Sequence, residues 1–162
     1  MKKLLLTLCM ALMAITASAR YISEPSLQGE GAVGAHVLFG TFAPNPGIGL
    51  RTQYFIVDNV RAAVSFDYFF KHNGYSMWDL NADAHYVWNI GDSFRIYPLI
   101  GVTFASWKDH PLNDIDNRVG LNAGAGIQLK LVDNLWVGAE AKMQEMRTYR
   151  QGVFNLNATI CF

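Results

Sequence analysis

Residues 78–88 read Trp78-Asp79-Leu80-Asn81-Ala82-Asp83-Ala84-His85-Tyr86-Val87-Trp88, and their alternation decides the fold. Trp78, Leu80, Ala82, Ala84, Tyr86 and Trp88 share one parity, and Asp79, Asn81, Asp83, His85 and Val87 share the other. A helix would scatter each set around its circumference, whereas a strand puts each set on one face. The same period restarts along the chain. Val60 to Phe70 sets Val60, Ala62, Val64, Phe66, Tyr68 and Phe70 against Arg61, Ala63, Ser65, Asp67 and Phe69. Arg118 to Leu131, Leu135 to Gln144, Ile48 to Val57 and the stretch ending at Phe162 alternate in the same way.

Two further strands are less regular. Gly29 to Phe42 is rich in Gly and Ala, and Phe94 to Ser106 is interrupted by Pro98. Proline cannot donate to a ladder, so a β-bulge is expected at Pro98. Eight antiparallel strands result. Asp58-Asn59, Asn89 to Ser93 and Val132-Asp133-Asn134 read as tight polar turns on one rim. Ala43 to Gly47, Lys71 to Met77, Trp107 to Asn117 and Thr148 to Gln151 read as generally longer loops on the other.

A soluble sandwich also alternates, so the aromatic residues decide between lipid and water. Tyr54, Tyr86, Trp88, Phe94 and Phe162 fall near the turn rim. Phe66, Tyr68, Phe70, Trp78, Phe104 and Phe154 fall near the loop rim, with Ala82, Ala84, Ala123, Ala139 and Ala158 between. Two aromatic belts around an aliphatic middle match two membrane interfaces, whereas a sandwich core would hold its aromatics centrally. The expected fold is therefore all-β: an eight-stranded antiparallel up-and-down transmembrane β-barrel.

The first 19 residues fit a cleaved signal peptide. Met1-Lys2-Lys3 is basic, Leu4 to Ile15 is apolar, and Ala17-Ser18-Ala19 supplies small residues for cleavage. The apolar run is shorter than the roughly 20 residues a spanning helix needs. Residues 20–162, about 143 in all, are then expected to form one barrel domain in the outer membrane. Cys9 lies in the signal without a lipoprotein box, which leaves Cys161 alone and no disulfide framework. Without Lys2 and Lys3, the 13 basic side chains fall to 11 against 13 acidic ones, a formal charge of −2. That balance points to no nucleic-acid partner.

Several loose motifs carry a resemblance: Phe162 closing an alternating strand, Tyr97-Pro98-Leu99-Ile100-Gly101, and Gly124-Ala125-Gly126 followed by Asn134 and Glu140. From about Gln28 to Phe162 the chain resembles the OmpA/OmpX-like superfamily of eight-stranded outer-membrane β-barrels. The resemblance implies that Phe162 acts as the signal read by the barrel-assembly machinery. It also implies contact with outer-membrane lipid and lipopolysaccharide.

The interior of eight strands is just wide enough for side chains to fill it. The inward list holds Glu30, Asp67, Asp79, Asp83 and Glu140 against Arg51, Arg61, Arg95, Arg118, Lys130 and Lys142. Interleaved signs in a narrow space predict a linked polar network and a plugged lumen. The Gly-rich inner faces would make room for Arg and Tyr side chains.

No catalytic, cofactor-binding or metal residues are assigned, and no enzyme is expected. Lipid A deacylases of similar build use a His-x-Ser pair, which His36, His72, His85 and His110 all lack. His72, Ser76 and Asp79 share a loop region, as in palmitoyl-transferring barrels, but show no base-orienting pattern. Asp109, His110, Asp114 and Asp116 lack the glycine turn and bidentate Glu of a calcium loop. Gly124-x-Gly126 precedes no helix, and Asn157-Ala-Thr159 is a chance sequon within a strand. The expected role is structural or interactive: a monomeric barrel displaying four short loops, with Tyr75, Trp107 and Tyr149 at the rim. Those three either meet a surface partner or anchor the barrel in lipopolysaccharide. A narrow pore for small solutes is the alternative, and a lipid A-modifying enzyme comes third.

Overall fold

A computed structural model describes residues 27–41, 45–72, 75–109, 114–147 and 149–162, without the side chains of His72, Tyr75, Asp109, Asp114 and Tyr149. The segment expected to be cleaved, His110, and the His72, Tyr75 and Tyr149 side chains therefore lie outside it. Among the described residues nine strand segments run in order: β1 (Gly31–Gly40), β2 (Asn45–Val57), β3 (Val60–His72), β4 (Tyr75–Tyr86), β5 (Trp88–Ile90), β6 (Phe94–Asp109), β7 (Asp114–Val132), β8 (Leu135–Met146) and β9 (Tyr149–Cys161). All pairings are antiparallel between neighbours; β1–β9 and β4–β6 complete the ring. Because β5 continues β4 past Val87 along the same partner, β6, the nine segments make eight staves.

Phe162 joins this closure through its backbone. Its N–H donates to Gly31 O at 2.9 Å, and its carbonyl accepts from Gly31 N–H at 3.1 Å. The stagger can be followed from partner to partner: Gly31, Tyr54, Ala62, Ala84, Ile100, Ala123, Met143, Gly152 and back to Thr41, ten residues up the first stave. Ten residues of shear over eight staves tilt the strands by about 40° from the barrel axis. This tilt sets which inward side chains share a level.

Pro98 produces no bulge. The pairs His85↔Leu99 and Trp88↔Ile96 flank it in one unchanged register, and Pro98↔Ala125 continues the ladder to β7. The missing donor falls on the β4 side, where the ladder lapses between Tyr86 and Trp88. Val87 faces the other neighbour, β3, and keeps its groups bonded there: its N–H donates to Asn59 O at 2.7 Å, and its carbonyl accepts from Asn59 Nδ2 at 3.0 Å. Register shifts occur instead beside the hairpin ends, at Phe55/Val57, Phe69/His72 and Lys130/Val132.

The alternation lies as the sequence implies, with the apolar parity outside. Val64, Phe66, Leu80, Ile100, Leu121 and Leu156 are exposed, while Arg51, Arg61, Asp67, Asp79, Asn122 and Glu140 are buried. Toward the loop rim, Trp78 joins Phe66 and Phe104 at ring separations of 5.9 and 5.6 Å, and Tyr68 meets Phe70 at 6.0 Å. Toward the turn rim, Tyr86 and Trp88 meet edge-on at 5.4 Å. An apolar exterior around a polar interior inverts a soluble core and matches a barrel dissolved in lipid.

The loop-side hairpins differ from expectation. Strand structure continues to His72 and from Tyr75, and again to Asp109 and from Asp114, so much of the expected loop sequence is ladder. Past the lipid band both faces meet water, so the hydrophobic alternation that marks a strand fades while the backbone pairing continues. At the opposite rim, Gly91 adopts a φ of +65°, a left-handed turn conformation that suits glycine.

Candidate functional site in the barrel lumen

The lumen is built from the polar parity of every stave. Nearest the turn rim, cationic and aromatic groups alternate across the barrel. The Arg95 guanidinium lies 3.8 Å from the Trp136 ring centre and 5.3 Å from that of Phe55. Arg61 lies 5.5 Å from the same Phe55 and 4.7 Å from Tyr97, which stacks on His85 at 4.7 Å. Each cation faces the negative face of a ring in a site with little water, where such contacts are strongest. Arg61 also donates to Gln128 at 2.8 Å and contacts His85 Nδ1 at 2.9 Å, while Arg95 pairs with Glu30 at 3.2 Å and with Asn89 at 3.1 Å. Val87 and Leu99 complete an apolar layer with Phe55 and Tyr97, against which Leu27 packs.

Above that layer, Arg51 reaches Glu140 by two bonds of 2.9 and 2.8 Å, a fork-to-carboxylate pair. Tyr97 Oη and Asn155 Nδ2 each donate to the same carboxylate at 3.0 Å, and Asn157 donates to Asn155 at 3.1 Å. The carboxylate therefore has four donors and no exposure to bulk solvent.

The loop-side half is acidic and held by amides. His36 Nε2 meets Asp67 Oδ1 at 2.7 Å. Asn81 donates to Ser65, Asp67 and Asp79, while Asn122 donates to Asn81 and Asp83. Gln144 donates to Asp79 and Asn81 and accepts from Gln151; Lys142 lies 3.6 Å from Asp83. Leu38, Phe69, Met77, Ala105, Met146 and Val153 close the loop-side end, with Trp107 packed on them. Trp107, read above as a rim contact, thus spends its ring on this inner cap.

Inward glycines supply the space. A Cβ on Gly126 would sit 2.5 Å from the Tyr97 ring, and one on Gly49 would sit 2.2 Å from His36 Nε2 and 2.3 Å from Asp67 Oδ1. The neighbouring stave's large side chain lies across each glycine, as the Gly-rich inner faces implied.

Of the eleven charged residues read as lumenal, Arg51, Arg61, Asp67, Asp79, Asp83, Arg95, Glu140 and Lys142 are buried in this interior. Glu30 lies at the turn-side mouth, about a quarter exposed. Arg118 and Lys130 share the inward parity but sit at opposite rims, paired with Asp116 and Asp133 rather than with the central network. Arg118 donates to the Asp116 carboxyl and holds it below the usual carboxylate range. The mediators His36, Asn81, His85, Tyr97, Asn122, Gln128 and Gln144 were visible only as parity-mates of the charges.

Among the described residues no nucleophile and base converge in the lumen. Asp79 points into the lumen, while strand alternation puts Ser76 on the opposite, Trp78 face. Among the described residues no group of three or more His, Cys, Asp and Glu side chains could hold a metal.

A closed barrel, apolar without and polar within, with aromatic belts near both rims, defines an integral outer-membrane barrel. The chain belongs to the outer membrane protein beta-barrel domain family, whose sequence profile matches residues 4–162. No curated protein matches it in sequence. Among solved structures, the N-terminal β-barrel domain of Pseudomonas aeruginosa OprF is similar, with 20% identity and a TM-score of 0.74 over 85% of this chain and 100% of that one. Ail of Yersinia pestis is 18% identical, with a TM-score of 0.61 over 83% and 99% of the two chains. Neisserial surface protein A is 15% identical, with a TM-score of 0.61 over 86% and 100%. At these identities the likeness is one of fold.

Proposed function

We propose that this protein is a structural or interaction barrel of the outer membrane whose lumen is plugged. The observation that supports this reading is the succession of side-chain layers across the lumen. The Trp136–Arg95–Phe55–Arg61–Tyr97 stack, the Arg51–Glu140 pair, the amide-held carboxylates and the Leu38–Phe69 cap succeed one another along the axis. Residues 1–19 serve as the cleaved export signal, residues 20–162 form the single barrel domain, and Phe162 is the assembly signal. The barrel acts as a monomer in lipid and lipopolysaccharide and displays four short loops to a surface partner.

The rim chemistry limits that partner. Ail of Yersinia pestis has been solved in complex with the heparin analogue sucrose octasulfate. Here Arg118 and Arg150 already hold Asp116 and Glu145, and Lys71, Lys108 and Arg147 stand exposed at the same rim, so the rim offers both signs. A mixed-sign rim fits a protein surface better than a sulfated sugar.

Liposome swelling tests the plug. Vesicles carrying the folded barrel should swell no faster in small sugars than empty vesicles. Swelling that falls with solute size would establish the narrow-pore alternative instead.

A further inference from the structure

The inner wall made by β1 and its two neighbours differs from the rest of the lumen. There, in consecutive rows, Gln53 and Cys161 flank Ala32, Arg51 and Thr159 flank Gly34, and Asn157 and Gly49 flank His36. Over the first two rows β1 contributes only Ala32 and Gly34, the smallest side chains available. The polar groups along these three rows are buried, yet six of their atoms have no hydrogen-bond partner among the described residues: Gln53 Nε2 and Oε1, Thr159 Oγ1, Asn157 Oδ1, Arg51 Nε and His36 Nδ1. On the opposite wall such atoms are scattered: His85 Nε2, Asn122 Oδ1 and Lys142 Nζ, the last 3.6 Å from Asp83.

Buried polar atoms are almost always bonded, and leaving them unmade is costly. The composition of this set says what bonds them. Arg51 Nε–H and the Gln53 amide are donors, Asn157 Oδ1 and Gln53 Oε1 are acceptors, and the Thr159 hydroxyl is both. Asp67 only accepts, so His36 turns Nε2–H toward it and leaves Nδ1 for another partner. A bare cation would be repelled by the donors and an anion by the acceptors. Water satisfies both kinds within one file.

We propose that ordered water enters the lumen from the turn-side mouth, follows the β1 wall past Gln53, Arg51, Thr159 and Asn157, and ends at His36. The mouth is the half-open end, where Glu30 is partly exposed and Cys161 half-buried. Beyond His36 the apolar cap of Leu38, Phe69 and Val153 intervenes before the next unpartnered buried atom on this wall, Asn45 Oδ1 at the loop-side end. The inlet is therefore one-sided. This deepens the plugged-lumen reading and rests on it: the plug is wet along one wall and sealed at the loop side. Roughly one buried water per 27 residues is usual, so a file of about three or four is in scale for this chain.

Solution NMR of the whole folded barrel in nanodiscs tests the file directly, through water cross-peaks to side-chain protons. The Gln53 amide and Arg51 Nε–H protons should show contacts to long-lived water, and those of Asn81, bonded on every side, should not. Gln53→Leu should weaken the Arg51 Nε–H contact by at least half. Dry Gln53 and Arg51 protons in a barrel that does not conduct would overturn the file alone. Equal water contacts at Asn81 would replace it with a uniformly wet lumen. Stable channels in the same preparation would instead overturn the plug itself.

Discussion

Glu140→Leu is the most informative perturbation of the plug. Glu140 and Arg51 are almost fully enclosed, with side-chain exposures of 0% and 2%, and share two bonds of 2.9 and 2.8 Å. Removing the carboxylate leaves the guanidinium uncompensated and takes the acceptor from Tyr97 Oη and Asn155 Nδ2. Breaking a buried pair by deleting one partner costs about 3–5 kcal/mol, because the survivor is still desolvated. Replacing both partners by apolar groups of like volume is often neutral, so Arg51→Met/Glu140→Leu should recover most of that loss. The double-mutant cycle should give a coupling of about 2–3 kcal/mol. Equilibrium urea unfolding in lipid vesicles, followed by Trp fluorescence, measures each term. A single mutant within about 1 kcal/mol of the parent would refute the reasoning, as would a double mutant losing the sum of both singles.

Other positions probe other layers. Trp136→Ala removes the ring over Arg95 and should cost about 3–5 kcal/mol in the same unfolding assay, without opening an ion path, because the Arg51–Glu140 layer and the loop-side cap remain. Gly49→Ala drives a Cβ to 2.2 Å from His36 Nε2, so it should break the His36–Asp67 pair, seen as a shift of the His36 ring resonances. His36→Ala should relieve much of that defect in stability. Ile100→Arg places a charge on the lipid face at a residue 68% exposed, and should cost about 2–4 kcal/mol of vesicle-measured stability. A neutral Ile100→Arg would deny that this face meets lipid.

The faces of the barrel were legible because alternation is a local signal, carried by neighbours such as Trp78 and Asp79. The partners across the lumen were not. Arg51 and Glu140 lie 89 residues apart in sequence and meet only because the shear brings β2 and β8 to one level. Arg118 and Lys130 show the same limit from the other side: their parity points inward, but parity says nothing of height, and both fall at the rims. Pro98 was read as needing an extra residue, since local sequence cannot show that the ladder lapses at Tyr86 and Val87 and resumes at Trp88↔Ile96 in the same register. The inward glycines were read as making room for Arg and Tyr, which fits Tyr97 over Gly126 but did not name His36 over Gly49. Gly49 and Gly126 on the polar parity mark where a neighbouring stave inserts a large side chain, here His36 and Tyr97. The loop-side strand extensions escaped notice because pairing persists where hydrophobic contrast does not.

Planar-bilayer recording of the refolded full-length barrel tests the central claim most directly. A lumen filled from the Trp136–Phe55 layer to the Leu38–Phe69 cap should give no large, stable, long-lived channels. Steady large conductance from folded single barrels would contradict it.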